Sequence, residues 1–157
     1  MKAITFLKVI LIMALTFVTF GATAETTLER IKRTGKVTVG TEAAFPPFEF
    51  VENGKIVGYG KDILDYIIAD LGVELVQLDL PWQGILPGVL AGKFDFVATT
   101  VSVRPKRAKT YAFTVPIAEG TSWLMKRKGD TSITTVDDVA GKIVSAQLSS
   151  GGQAAAE

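Results

Sequence analysis

The sequence predicts an α/β fold organised as a doubly wound sheet. Three observations predict it. Short, apolar, β-branched stretches recur at residues 36–40, 73–78 and 94–98. Helical patterns alternate with them, one starting near residues 58–60 and one at Trp82 or Gln83. The resulting order, strand, helix, strand, helix, strand, is that of apolar strands joined by short crossover helices.

Each element has a local reason. Thr26 or Thr27 caps a short helix through Lys32, and Gly35 stops it. Lys36-Val37-Thr38-Val39-Gly40 alternates as a strand. Residues 41–47 read as a loop, because Pro46-Pro47 forbids regular structure. Phe48-Glu49-Phe50-Val51 forms a short strand, Asn53-Gly54 is a strong hairpin signal, and Lys55-Ile56-Val57 returns. Ile63, Leu64, Ile67, Ile68 and Leu71 make one apolar helix face, with Asp62 and Asp65 in the early turns and Gly72 at the end. The second helix runs to Ala91, with Gly92 as its stop and Pro87 better suited to early turns than to the middle. Residues 94–98 form a strand that contains Asp95, and a short basic helix follows at 105–109. Beyond it, 123–126 and 142–146 read as strands. Thr135 caps a helix over 136–140, where Asp137-Asp138 favours the N-terminus, and 153–157 opens a last helix.

Composition narrows the chemistry. The 157 residues include no Cys and no His, with 48% hydrophobic and 21% charged residues. These values fit a folded globular chain. They remove disulfides, thiolate metal sites, a cysteine nucleophile and the usual general base. The first residues are a positive start (Lys2, Lys8), an apolar run over 9–20 and a small-residue exit at Gly21-Ala22-Thr23-Ala24. Those three parts predict a cleaved secretory signal over 1–24, since the apolar run is short for a bilayer span. Without Lys2 and Lys8, the 17 basic residues become 15 against 16 acidic. A periplasmic or external destination follows, and that charge balance argues against nucleic acid.

In a doubly wound sheet, ligands sit beyond the carboxyl ends of the strands. That rule points to residues 41–47 and 99–107. Thr99-Thr100-Val101-Ser102 offers hydroxyls and free amides, with Arg107 five residues on, a set that suits an anion. Helix capping beside a solvated basic turn fits the same spacing. Phe45 and Trp82 either wall a pocket or pack in the core, and Glu42 either attracts an ammonium group or faces water. No catalytic set, metal-ligand cluster or phosphate loop emerges.

Several segments, in order, resemble the family 3 periplasmic solute-binding proteins, the polar amino-acid receptors of ABC importers. They are Lys36-Val37-Thr38-Val39-Gly40-Thr41, Phe45-Pro46-Pro47-Phe48, Gly54-Lys55-Ile56-Val57-Gly58-Tyr59, Leu90-Ala91-Gly92-Lys93-Phe94-Asp95, the run from Thr99 to Arg107, Tyr111-Ala112-Phe113-Thr114 and Val139-Ala140-Gly141-Lys142. The resemblance implies a type II periplasmic-binding-protein-like fold, with a signal peptide at 1–24, lobe 1 at 25–122, and at 123–157 the crossover and an incomplete start of lobe 2. It implies that Arg107 grips a ligand carboxylate and that Thr99, Thr100 and Ser102 bond the head group. Phe45 and Trp82 would sandwich the side chain, and Glu42 would favour cationic ligands. Arg104 falls at a variable position, and Ser149, Ser150 and Gly151 resemble the start of a lobe-two helix. Gly60 departs from the family, which usually places an acid there. The implied protein is a monomeric, non-enzymatic, cofactor-free receptor that captures a free amino acid and delivers it to an inner-membrane permease. It would run to about twice this length, and half a cleft alone would bind weakly. Two other readings accompany this one: a prephenate or arogenate dehydratase-like enzyme on the same fold, and the sensor part of a larger receptor.

Overall fold

The computed structural model describes residues 24–157, so the expected signal peptide lies outside the described residues, Ala24 excepted. The first helix, α1, spans Thr27–Thr34. Thr26 caps it reciprocally: its hydroxyl accepts from the Glu29 amide at 3.2 Å, while the Glu29 carboxylate accepts from the Thr26 amide at 2.8 Å. Gly35, in the left-handed region, ends it by donating to the Ile31 carbonyl.

Strand β1 (Lys36–Thr41) is the centre of a parallel sheet, flanked by β5 (Glu74–Asp79) and β6 (Phe96–Val97) in the order β5-β1-β6. Lys36 pairs with Glu74 and Val39 with Phe96. Between β1 and β5 lies an antiparallel meander of β2 (Ala44–Phe45), β3 (Glu49–Glu52) and β4 (Lys55–Val57), followed by helix α2 (Tyr59–Leu71). Helix α3 (Trp82–Leu90) then leads to β6, and α4 (Pro105–Ala108) follows. The alternation of parallel strands and helices is the α/β plan expected from the sequence. Among the described residues, no helix is long and apolar enough to cross a membrane.

Helices cover both faces of the sheet. Val37 and Val39, both fully buried, point to one face and pack with Ile31 of α1 and Leu64 of α2. Ile68, Val73, Leu75 and Phe96 extend that cluster. Gly40 faces the other way, as alternation requires. There Phe94 is wedged between strand and helix: a Cβ on Gly40 would lie 2.5 Å from the Phe94 Cζ, and one on Gly88 of α3 would lie 2.6 Å from its Cε1. The two bare backbones make the slot that the ring fills.

Several expectations need correction. The 41–47 segment is not all loop, because Ala44 and Phe45 pair with Phe50 and Glu49. Pro46-Pro47 provides the bend, closed by the Phe48 amide on the Phe45 carbonyl at 2.9 Å. Pro87 lies inside α3, whose N-terminal end it does not share. The α2 face is only partly used, with Leu64 buried but Ile67 exposed. Asp95 is committed to scaffolding: it accepts from the Thr38 amide at 2.8 Å and pairs with Arg30, tying α1 to β1. The strands expected at 123–126 and 142–146 do not form, and among the described residues no strand follows β6. A strand needs a neighbour to take its backbone hydrogen bonds. Without one, Trp123, Met125 and Ile143 are left almost wholly exposed.

The late helices are short. Val136–Val139 is a 3₁₀ turn, and α5 spans Gly151–Ala156. The amides of Thr134 and Thr135 donate to the Asp138 carboxylate at 2.7 and 2.8 Å, and these bonds, with the two hydroxyls, hold its pKa well below the usual range.

Two predictions follow from this packing. Gly40→Ala should lower stability by about 1–3 kcal/mol through overpacking, and Phe94→Ala by about 3–5 kcal/mol, both read from urea midpoints. In the Gly40→Ala/Phe94→Ala double variant the two losses should be markedly less than additive; strict additivity would show that ring and strand do not meet. The depressed Asp138 pKa means that its cap is present above the ordinary carboxylate pKa and lost only as pH falls through the lowered value. The Thr134 and Thr135 amide shifts should therefore hold steady from neutral pH to about pH 4 and move only in stronger acid. A midpoint at the ordinary Asp value would remove the cap.

Candidate functional site

The carboxyl ends of the three parallel strands are stitched together by polar bonds. Thr41, fully buried at the end of β1, donates to the Ala98 carbonyl at 2.9 Å and accepts from the Gln77 amide at the same distance. The Ala43 amide donates to Asp79 at 2.9 Å. These contacts fix the origin of the two loops that carry most of the candidate residues.

Arg107 lies on α4 with its guanidinium 5.3 Å from the centre of the Trp82 ring. Trp82 is the first residue of α3 and is nearly buried, so its ring forms a floor rather than a free wall. The guanidinium donates to the Ser102 carbonyl at 3.2 Å and to the Ser149 carbonyl at 3.1 Å. Burial, and secondarily the neighbouring Arg104, lower its pKa. Among the described residues, no carboxylate pairs with it.

Segment 147–151 crosses this mouth. Gln147 donates to the Glu42 carboxylate at 2.7 Å, Ser149 takes the Arg107 bond, and Arg104 packs against Gly151. The Ser150 hydroxyl is already occupied, accepting from the Gly152 and Gln153 amides of its own helix. Glu42, Trp82, Ser102 and Arg107 are thus drawn together around one crossing segment.

The other candidates are placed differently. Thr99 and Thr100 turn toward Glu49: the Thr99 hydroxyl donates to its carboxylate at 2.7 Å, the Thr100 amide also donates to it, and the Thr100 hydroxyl does so at 3.2 Å. Phe45 is half-exposed and stacks on Phe48 with ring centres 5.5 Å apart. Phe48 in turn meets Tyr59 edge-on at 6.3 Å, and the Tyr59 hydroxyl donates to the Ile117 carbonyl at 3.2 Å.

Sequence reasoning missed Glu49, Tyr59 and Gln147. Glu49 carried a signal, since an acid between Phe48 and Phe50 in a strand faces opposite to both. Tyr59 was visible only as an aromatic at a helix start. Gln147 had no local signal. A concavity of about 240 Å³ lies elsewhere, lined by Trp123, Leu124, Ile133 and Val136 among others, and includes no candidate residue. Among the described residues, no group of His, Cys, Asp and Glu could hold a metal ion.

Comparison with known proteins places this geometry in context. The family model described as "Bacterial extracellular solute-binding proteins, family 3" matches residues 37–151. The "Probable amino-acid ABC transporter-binding protein" of Haemophilus influenzae is 29% identical over 143 residues, 90% of this chain and 55% of that protein. The chain therefore spans about half the length of this curated relative. The P235GK mutant of ArgBP from T. maritima superposes with a TM-score of 0.71 at 32% identity, over 83% of this chain and 58% of that one. The arginine-bound form of domain 1 from TmArgBP gives 0.53 at 41% identity, over 55% and 70% respectively.

The stack of Arg107 on Trp82 has a direct optical test. In a Trp123→Phe background Trp82 is the sole indole. Arg107→Ala should then shift its emission to longer wavelength and raise its quenching by acrylamide. An unchanged spectrum would show that the guanidinium does not cover the ring.

Proposed function

The chain belongs to the bacterial extracellular solute-binding proteins, family 3, and from that membership we propose that it captures a free amino acid by its carboxylate and side chain for an ABC importer. One observation carries the reading: Arg107 is partly desolvated at the mouth of the parallel sheet and, among the described residues, no acid pairs with it. A cation withdrawn from water is costly until an anion joins it. A carboxylate meets that need with two parallel N–H···O bonds.

In this reading Arg107 fixes the ligand carboxylate, displacing the neutral Ser149 carbonyl. The backbone of the 99–102 loop and the Ser102 hydroxyl orient the head group, while the Thr99 and Thr100 hydroxyls stay on Glu49. Trp82 holds the guanidinium flat from below by a cation–π contact. Phe45, and beyond it Tyr59, supply the aromatic wall for the side chain. Glu42 selects a cationic side chain once Gln147 releases it. Residues 25–122 act as lobe 1 and 123–157 as the crossover and the start of lobe 2. The chain would act in the periplasm as a monomer, release its ligand to a membrane permease, and perform no chemistry on it.

Domain 1 of TmArgBP carries arginine as a single domain, which supports measurable arginine binding by this chain too. Calorimetry with L-arginine should therefore detect binding by the wild-type chain. Arg107→Ala should weaken it by about 30-fold or more, equivalent to the ~2 kcal/mol lost on truncating one partner of a buried charge pair. Affinity within threefold of wild type would overturn the role of Arg107.

A further inference from the structure

Strand β3 is inverted relative to ordinary patterning. Its buried residue is an acid, Glu49, at 1% exposure, while Val51 in the same strand is 52% exposed. A buried carboxylate is tolerated only when its oxygens are bonded. Among the described residues, no Lys or Arg pairs with Glu49. Among the described residues its side-chain donors come from a single place, the Thr99-Thr100 dipeptide some 50 residues downstream: the Thr99 hydroxyl, the Thr100 amide and the Thr100 hydroxyl.

That dependence runs in both directions. If the loop moves, a buried charge loses its partners. If the carboxylate is absent, the loop loses these three bonds and the Thr99 hydroxyl keeps a long one, 3.4 Å, to the Glu42 carbonyl. From Thr100 the chain continues to Ser102, whose carbonyl receives the Arg107 guanidinium at 3.2 Å. Glu49 thereby reaches the cation through two steps of backbone. Gly60 makes room for the arrangement, because a Cβ there would collide with the Glu49 Oε2.

We propose that Glu49 is a positioning residue for ligand capture: its carboxylate locks the 99–102 loop in the conformation that presents backbone and Arg107 to the ligand, and Gly60 is the vacancy that admits it. The ligand part of this inference rests on the amino-acid reading above; the loop part does not.

The experiment measures residue-resolved amide exchange at Thr100, with Val39 as a core control, alongside calorimetry with L-arginine. It compares the whole wild-type chain with Glu49→Ala, Glu49→Gln and Gly60→Ala. In Glu49→Ala, exchange at Thr100 should rise at least about tenfold more than at Val39, and arginine affinity should fall about tenfold or more. Glu49→Gln, nearly isosteric and retaining one acceptor oxygen, should keep the fold and fall between the two. Gly60→Ala should reproduce the Glu49→Ala pattern without removing the acid. Thr100 exchange within twofold of wild type in folded Glu49→Ala or Glu49→Gln overturns the lock. Loosened exchange with unchanged arginine affinity overturns the role in capture. If the wild-type chain takes up no arginine, the reading of function fails, while the Thr100 exchange still decides whether Glu49 holds the loop.

Discussion

A buried carboxylate, paired with no cation among the described residues, joins the two sheets of this molecule at the mouth. The parallel sheet and the antiparallel meander share no strand. At the mouth, Glu49 of the meander grips the loop that leaves the parallel sheet. Burying a charge is costly, so the arrangement persists only because three donors from one dipeptide converge on it. The position of the 99–102 loop, and through it the seat of Arg107, depends on that convergence. Thr41 performs the neutral counterpart of the task, binding the ends of β1, β5 and β6 through one hydroxyl.

Around this anchor the site separates its polar duties. Acids with structural tasks are already paired or bonded: Asp95 with Arg30 and Thr38, Asp79 with Ala43, Asp138 with its own turn. Arg107 stands apart, a cation lying on an aromatic ring and hydrogen-bonded to the Ser102 and Ser149 carbonyls. Neutral acceptors satisfy its hydrogen bonds without neutralising its charge. On the proposed reading, that difference sets Arg107 apart from the scaffold acids.

Much of the fold was legible because its causes are local. Thr26 (one of the two caps the sequence offers), Gly35, Asn53-Gly54, Gly72 and the alternation of 36–40 each act within a few residues, and each appears where the pattern placed it. The tertiary constraints were not legible. Nothing near Phe94 announces that its ring will lie between Gly40 and Gly88, and nothing near Thr99 announces that its hydroxyl belongs to Glu49. Alternation at 123–126 and 142–146 misled for the same reason, since a period of two marks a segment suited to pairing, whereas pairing needs a neighbour from elsewhere. At the site, residue types and loops were readable, and directions were not. Trp82 was correctly singled out as an aromatic at a strand-to-helix junction, yet its near-complete burial beneath Arg107 came from packing.

The crossing segment has a consequence in polymer terms. The bond from Arg107 to Ser149 closes a loop of 42 residues, and that from Gln147 to Glu42 spans 105. Tethering the ends of 42 residues costs about 3 kcal/mol of chain entropy before any constant is added. Each of the two bonds has one ionised partner and returns about 1.5–3 kcal/mol. Ordering the exposed side chains that make these bonds adds to the cost, so the closure is close to balance between lying across the mouth and leaving it. In such a balance, even a small gain in binding energy is enough to set the occupancy of each state.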